Sequence, residues 1–290
     1  MGCPNESIEN QKPEISRVGL GGKGILRSYG REDEARAVIL EALARDITYF
    51  DTAAAYAGSQ GYYGRVWREQ TPARDRLFLT GKSADRQAIR AQADLEDSLT
   101  TMGLDYLDLW QIHDLRTTAD LETVSGPHGA LEAFMRAKAS GQVRYIGVTG
   151  HADPEVLTRA VREWPVDAVL LPVNPVEACL GGFMDQTLPA AREKGMTVIG
   201  MKVLGGSYYL NPRAGLTAQA LIRFALAQPV DHIVVDCTTP EQVRDLAGAA
   251  IEDPPMSLEE QQHLMERFRD RARSLAYYRA PGRPGAEDAS

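Results

Sequence analysis

The stretch Val18-Gly19-Leu20-Gly21-Gly22-Lys23-Gly24 (VGLGGKG) admits two readings, and the choice between them decides the fold. In the first, Gly19, Gly21 and Gly24 fit G-x-G-x-x-G, the strand-to-helix turn that lets a backbone approach a dinucleotide's diphosphate in an open doubly wound sheet. The run ITYFD (47–51) follows a helix-like segment and ends on Asp51, where such a sheet keeps a ribose-binding carboxylate. In the second, ISRVGL (15–20) opens another α/β architecture and the glycines belong to the loop after its first strand. The rest of the chain must choose.

Short runs rich in β-branched and aromatic residues recur along the sequence, each followed by a segment of helical period. They are ISRVGL (15–20), ITYFDT (47–52), LFLTGK (77–82), LDLWQIH (107–113), VRYIGVT (143–149), AVLLPVN (168–174), TVIGMKV (197–203) and HIVVDC (232–237). Helices are expected at 32–45, 60–70, 86–102, 128–140, 154–163, 185–194, 217–227 and 240–249, and Gly103, Gly141 and Gly195 mark the stops of three of them. Eight strands alternating with eight helices predict a (β/α)8 TIM barrel rather than a six-stranded sheet with a second domain. No Pro- or Gly-rich linker divides the chain, so a single domain is expected over 14–279, with flexible termini at 1–13 and 280–290. The segment 257–278 opens with a capping box, Ser257 to Glu260, and predicts an extra C-terminal helix across the outside of the barrel.

Composition narrows the function. A net charge of −8 and a pI near 5.3 argue against a nucleic-acid partner, which calls for a basic face. Cys3, Cys179 and Cys237 are too scattered for a zinc or iron–sulfur site and read as free thiols of a reducing compartment. No run of about eighteen apolar residues and no secretory leader stand in the sequence, so a cytoplasmic protein without a membrane partner is expected, working as a monomer or homo-oligomer. Met1-Gly2-Cys3 with Ser7 touches a myristoylation pattern, which chance explains better.

A barrel of this kind carries its chemistry at the C-terminal ends of its strands. There the second run ends in Asp51 with Tyr56 five residues on, the third in Lys82 and the fourth in His113. Singly, each is an ordinary loop residue. Together they make an acid for carbonyl reduction: Tyr56 moves the proton, the Lys82 ammonium lowers the phenol's pKa, Asp51 holds Lys82, and His113 positions the substrate oxygen. A short-chain dehydrogenase would need Tyr-x-x-x-Lys, and no tyrosine here has a lysine four positions later.

With these residues in place the chain resembles the aldo-keto reductases. The resemblance rests on FDTAAAYAGSQGYYGRVWRE (50–69), TGK (80–82), LDYLDLWQIHD (104–114), GQVRYIGVTG (141–150) and GMKVLGG (200–206), and it covers roughly residues 14 to 250. It implies a catalytic tetrad of Asp51, Tyr56, Lys82 and His113, and NADPH or NADH lying extended across the barrel mouth. Gly21 and Gly22, with Lys23, would then border the nicotinamide half. Where the family has Ser-Asn for the carboxamide, this chain has Thr149, Gly150 and His151, and Asn174 matches a second amide-binding position. Lys202, Leu204, Gly205 and Gly206 would wrap the diphosphate, and Asp236, Thr238 and Gln242 would meet the adenosine end. Family habit favours NADPH, whereas Asp236, Gln242 and Leu246 in the place of phosphate-binding residues favour NADH, with Arg244 left to compensate.

The substrate pocket is expected from loops that carry Ile25, Leu26, Tyr29, Leu115, Tyr208 and Tyr209, whose apolar walls suit an aldehyde or ketone. A rival reading is a regulatory subunit that binds nicotinamide nucleotide with little turnover, and the intact tetrad weighs against it. A metal-dependent hydrolase would need clustered ligands, and His128, His151, His232 and His263 are dispersed, so no metal site is expected.

Overall fold

A computed structural model describes residues 15–70, 74–251 and 255–279; the expected flexible termini and the Met1-Gly2-Cys3 pattern lie outside them. The strands are β1 (Val18–Leu20), β2 (Tyr49–Asp51), β3 (Phe78–Ser83), β4 (Leu107–Ile112), β5 (Val143–Thr149), β6 (Ala168–Pro172), β7 (Thr197–Met201) and β8 (His232–Val235). All eight pair in parallel in chain order, and β1 closes on β8 with Val18 opposite Ile233. Each falls inside or within one residue of an expected run, so the second reading of VGLGGKG holds: Val18–Leu20 is a barrel strand followed by a loop.

The helices are α1 (Glu32–Ala44), α2 (Ser59–Gln70), α3 (Ala88–Met102), α4 (Thr118–Ser125), α5 (Ala130–Ala139), α6 (Pro154–Glu163), α7 (Pro175–Leu180), α8 (Leu188–Glu193), α9 (Ala218–Leu226), α10 (Pro240–Ile251), α11 (Leu258–Glu266) and α12 (Ala272–Leu275). Gly103 ends α3 in the left-handed region, φ 68°, as its position predicts. Two short helices, α4 and α7, were not expected from periodicity. Each announces itself by a cap instead: Thr117 and Asp120 form a capping box before α4, and Asn174 with Pro175 opens α7.

Two cores follow from the period-2 alternation of the strands. Tyr49, Phe78, Leu109, Tyr145, Ala168, Leu170, Ile199 and Val234 point inward and fill the barrel, while the alternate residues pack outward against the helices. Two positions beyond these inward residues come Asp51, Thr80, Gln111, Met201 and Asp236, and one further step reaches Lys82 and His113. The alternation that builds the core thus delivers the polar groups to the mouth.

The C-terminal segment departs from the expected single helix. It breaks after Glu266 into α11, a short turn at Arg269–Arg271, α12 and a last turn at Tyr277–Arg279. Leu264, Phe268, Ala272 and Ala276 still form one buried face at a four-residue spacing, but that face packs on α7 and brings Tyr278 back over the barrel mouth. Buried aromatic contact decides the path, because Phe268 lies against Tyr209 with ring centroids 5.5 Å apart.

Candidate active site

Asp51 and Lys82 meet at the mouth with Lys82 Nζ 2.5 Å from Asp51 Oδ2, in a pair whose side chains are 5% and 1% exposed. Thr80, inward-facing and two residues before Lys82, donates its hydroxyl to Asp51 Oδ1 at 2.6 Å. Lys82 also donates to the Thr52 carbonyl at 2.9 Å. A turn after β2, Tyr56 N–H to Ala53 C=O at 3.0 Å, folds Tyr56 back so that its ring centroid lies 5.3 Å from Lys82 Nζ. The His113 ring stands edge-on to Tyr56 with centroids 5.5 Å apart. The four side chains foreseen from sequence are therefore neighbours.

Their electrostatics differ from expectation in one respect. The Tyr56 phenol is not tuned downward: burial, then the charges of Asp51 and Asp236, push it well above its ordinary value. The Lys82 ammonium is already committed to Asp51 and the Thr52 carbonyl. The phenol thus stays protonated. Burial together with the positive charges of Lys82 and Lys23 holds His113 well below its ordinary value, so its ring is neutral, and its Nδ1 has no partner among the described residues. The His113 backbone is fixed by Arg86, whose guanidinium donates to the carbonyls of His113 (2.8 Å) and Asp114 (2.7 Å). Thr80 opens the TGK motif, but nothing in the sequence marks its bond to Asp51, and Arg86, in the loop after β3, carries no motif signal.

Around these groups lies an inner cavity lined by Gly21, Lys23, Tyr56, Met201, Lys202 and Asp236. It runs into an outer groove of about 760 Å³ lined by Arg27, Tyr208, Thr238, Gln242 and Asp245. The two share Lys23, Leu204, Gly206, Ser207, Val235 and Asp236 and so form one long depression. Gly205 lies behind it: a Cβ there would come within 2.3 Å of the Tyr209 ring. Gly21 and Gly22 serve close packing in the same way, since a Cβ would reach Asp236 Oδ1 at 2.2 Å or the Asp51 carbonyl at 2.5 Å.

Several expected binders are occupied elsewhere. Asn174 is fully buried; its amide donates to the Lys202 carbonyl and the Tyr278 hydroxyl, each at 3.1 Å, and its oxygen caps α7 through Glu177 N–H at 2.9 Å. Both of its N–H groups are used, so it offers none to a carboxamide. The Thr149 hydroxyl accepts from Asp114 N–H at 2.9 Å, and Gly150 packs beneath the Leu115 carbonyl; both hold the loop after β4. His151 lies beside them with Nε2 3.2 Å from Asp114 Oδ1. Gln242 turns its oxygen onto Thr238 N–H at 2.6 Å. Arg244 pairs with Glu241 at 2.5 Å and Glu41 at 3.3 Å, which ties down the compensating charge expected of it.

The expected pocket walls are corrected likewise. Ile25, Leu26, Leu115 and Tyr209 are core residues no more than 4% exposed, because each packs under its loop rather than over the mouth. Tyr29 points to solvent at 79% exposure, and of the set only Tyr208 lines the depression. Sequence reasoning missed Tyr277 and Tyr278, which the C-terminal segment brings beside Lys202.

Comparison with known proteins agrees with this architecture. L-galactose dehydrogenase of Arabidopsis thaliana is 29% identical over 210 residues, 67% of this chain and 63% of its own length. An aldo-keto reductase of Schizosaccharomyces pombe is 25% identical over 224 residues, 72% of this chain and again 63% of its own length. The matches thus span less than two thirds of these relatives. An aldo-keto reductase of Klebsiella pneumoniae solved in complex with NADPH superposes with a TM-score of 0.72 at 21% identity, over 93% of each chain. The Aldo/keto reductase family model matches residues 17–215, and on that match the chain belongs to the aldo/keto reductase family.

Proposed function

We propose that this chain is an oxidoreductase that transfers hydride between NADPH or NADH and a small aldehyde or ketone, or the corresponding alcohol. One observation carries the reading: a protonated Tyr56, a Lys82–Asp51 pair and a neutral His113 converge at an inner cavity that opens into a larger outer groove. The outer groove alone falls within the roughly 300–1,000 Å³ of cofactor and ligand sites. Family membership supports the same chemistry, and the Klebsiella pneumoniae protein holds NADPH.

A reduced nicotinamide, when bound, supplies the hydride. The chain's own residues supply the rest. His113 donates a hydrogen bond to the carbonyl oxygen, and Tyr56 gives that oxygen its proton as negative charge grows on it. Lys82, fixed by Asp51 and Thr80, then stabilises the phenolate until solvent reprotonates it. A phenol held above its ordinary pKa is a weaker acid than free tyrosine, so its proton moves only as negative charge builds on the carbonyl oxygen and Lys82 stands ready to stabilise the phenolate. Lys23, Leu204, Gly206 and Ser207, at the junction of cavity and groove, would take the diphosphate, and Thr238, Gln242 and Asp245 would line the adenosine end.

The connected tetrad favours turnover over the regulatory-subunit reading. Free Cys179 and Cys237, and the lack of any helix among the described residues long and apolar enough to cross a membrane, support a cytoplasmic setting. The test is to titrate NADPH and NADH into purified protein and then follow nucleotide oxidation with a panel of aldehydes and ketones. Binding with turnover of at least one carbonyl is expected; failure of both nucleotides to bind sinks the reading.

A further inference from the structure

Lys202, just past the end of β7, has a left-handed backbone, φ 56°, which glycine adopts freely and lysine does not. Two hydrogen bonds to its carbonyl hold it there, from Asn174 Nδ2 at 3.1 Å and from Gly205 N–H at 3.0 Å. Of the five described non-glycine residues with positive φ, Lys202 and Ser207 line the inner cavity with Tyr56, and of these two only Lys202 can carry a charge. Its side chain lines the inner cavity with Tyr56 and Asp51, and its ammonium lies 5.9 Å and 5.7 Å from the ring centroids of Tyr277 and Tyr278. Among the described residues no carboxylate stands within ion-pairing distance of it. A desolvated cation without a counter-ion is costly, and a bound anion relieves that cost.

Two sources of that anion are at hand, and position separates them. Lys23 borders both the inner cavity and the outer groove, where the linker of a ligand with a head in each would lie. Lys202, which the family resemblance would group with the diphosphate-wrapping residues, borders the inner cavity alone, on the side of the C-terminal turn. We propose that Lys202 binds a carboxylate carried by the substrate, so that oxo acids are preferred over uncharged carbonyl compounds. This rests on the carbonyl-reduction reading above.

A pH dependence follows. Burial, with the like charges of Lys23 and Arg27, brings the Lys202 amine down to about 7, against the pull of Asp236 and Asp114; around the Tyr278 ring, His151 is kept neutral chiefly by burial and by Lys202 itself, burial raises the phenols of Tyr209 and Tyr277, and Glu177 is paired with Arg279. Raising the pH through about 7 discharges the amine and weakens its hold on a carboxylate.

The test compares 2-oxobutanoate, 4-oxopentanoate and 5-oxohexanoate with their methyl esters, using wild type, Lys202→Met, Lys202→Gly and Lys202→Arg. At least one acid is expected to exceed its ester about tenfold in kcat/KM. That ratio collapses in the Met and Gly variants and survives in Arg, and only the acid's KM rises above pH 7. Lys202→Gly removes the side chain while relieving the backbone strain, and a thermal melt of each variant checks that it is folded. Equal use of acids and esters by wild type, or a ratio that survives in the Met and Gly variants, overturns the proposal. So does an unchanged ratio accompanied by about tenfold weaker nucleotide binding in Lys202→Met, which assigns the lysine to the dinucleotide. If wild type binds no nucleotide, the carbonyl-reduction reading has failed on its own. Calorimetric titration of the three acids then decides the anion site: binding lost in Lys202→Met supports it, and no binding removes it.

Discussion

Lys82 Nζ lies 2.5 Å from Asp51 Oδ2, and both side chains are almost sealed from solvent. Removing one member of such a pair strands the other charge without its counter-ion. Lys82→Met is expected to lower the unfolding free energy by about 3 kcal/mol, and Lys82→Met with Asp51→Asn to recover part of the loss. Urea unfolding of the single and double variants measures both. Additive losses would mean that the two side chains are not coupled.

Tyr56 touches the pair only through space, so its hydroxyl can be removed with little structural consequence. The Tyr56→Phe variant is expected to lose about 100-fold or more in kcat for carbonyl reduction while nucleotide affinity stays close to that of wild type. Stopped-flow reduction and fluorescence titration separate the two effects. A variant as fast as wild type would remove Tyr56 from the proton path.

The barrel and the meeting of Asp51, Lys82 and His113 were legible because both rest on strand periodicity: the alternation that places Tyr49, Phe78 and Leu109 inside the barrel carries Asp51, Lys82 and His113 to the mouth at the ends of the same strands. What escaped depends on partners distant in sequence. Asn174 reads as a binder by position, yet Tyr278, 104 residues away, takes one of its donors. Tyr209 reads as a pocket wall, yet Phe268 and Tyr278 cover it. The path of the C-terminal segment sets both outcomes, and no local pattern encodes that path.

Arg244 faces Glu41 and Glu241 instead of the groove, and the groove's outer end carries Asp245. The charge best placed to compensate a 2′-phosphate is thus held by two carboxylates, and NADH is expected to bind at least as tightly as NADPH. Glu41→Gln combined with Glu241→Gln releases Arg244 and is expected to improve NADPH relative to NADH about tenfold. Equilibrium titration of both nucleotides checks the shift; an unchanged ratio would place Arg244 out of reach.

Burial holds His113, His151 and His232 below their ordinary value in the folded state. The unfolded chain then binds more protons than the folded one as pH drops below about 6.5. Their contribution to stability is fully present above that pH and is lost as pH falls toward the folded values. Each group adds a slope of up to about 1.4 kcal/mol per pH unit. Lys23 and Lys202, lowered to about 8 and about 7, act with the same sign at higher pH, so stability should go on rising from pH 7 to 8.5. Denaturant unfolding across this range gives the curve, and His232→Phe, remote from the mouth, should flatten its acid limb.

Arg279 anchors the last described turn by donating to both oxygens of Glu177 and to the Gly181 carbonyl. Glu177 is fully buried, and burial raises its carboxyl above the usual range, so the guanidinium is its main compensation. Arg279→Met leaves that carboxylate unpaired at the start of α7 and is expected to cost about 3 kcal/mol. Part of this cost can be avoided by local opening: if the Tyr277–Arg279 turn lifts away, Glu177 gains water and the Tyr278 hydroxyl releases Asn174. Hydrogen exchange should then quicken in residues 272–279 and α7 before it does in the barrel strands. Uniform acceleration across the molecule would show instead that the C-terminal turn and the barrel unfold as one unit.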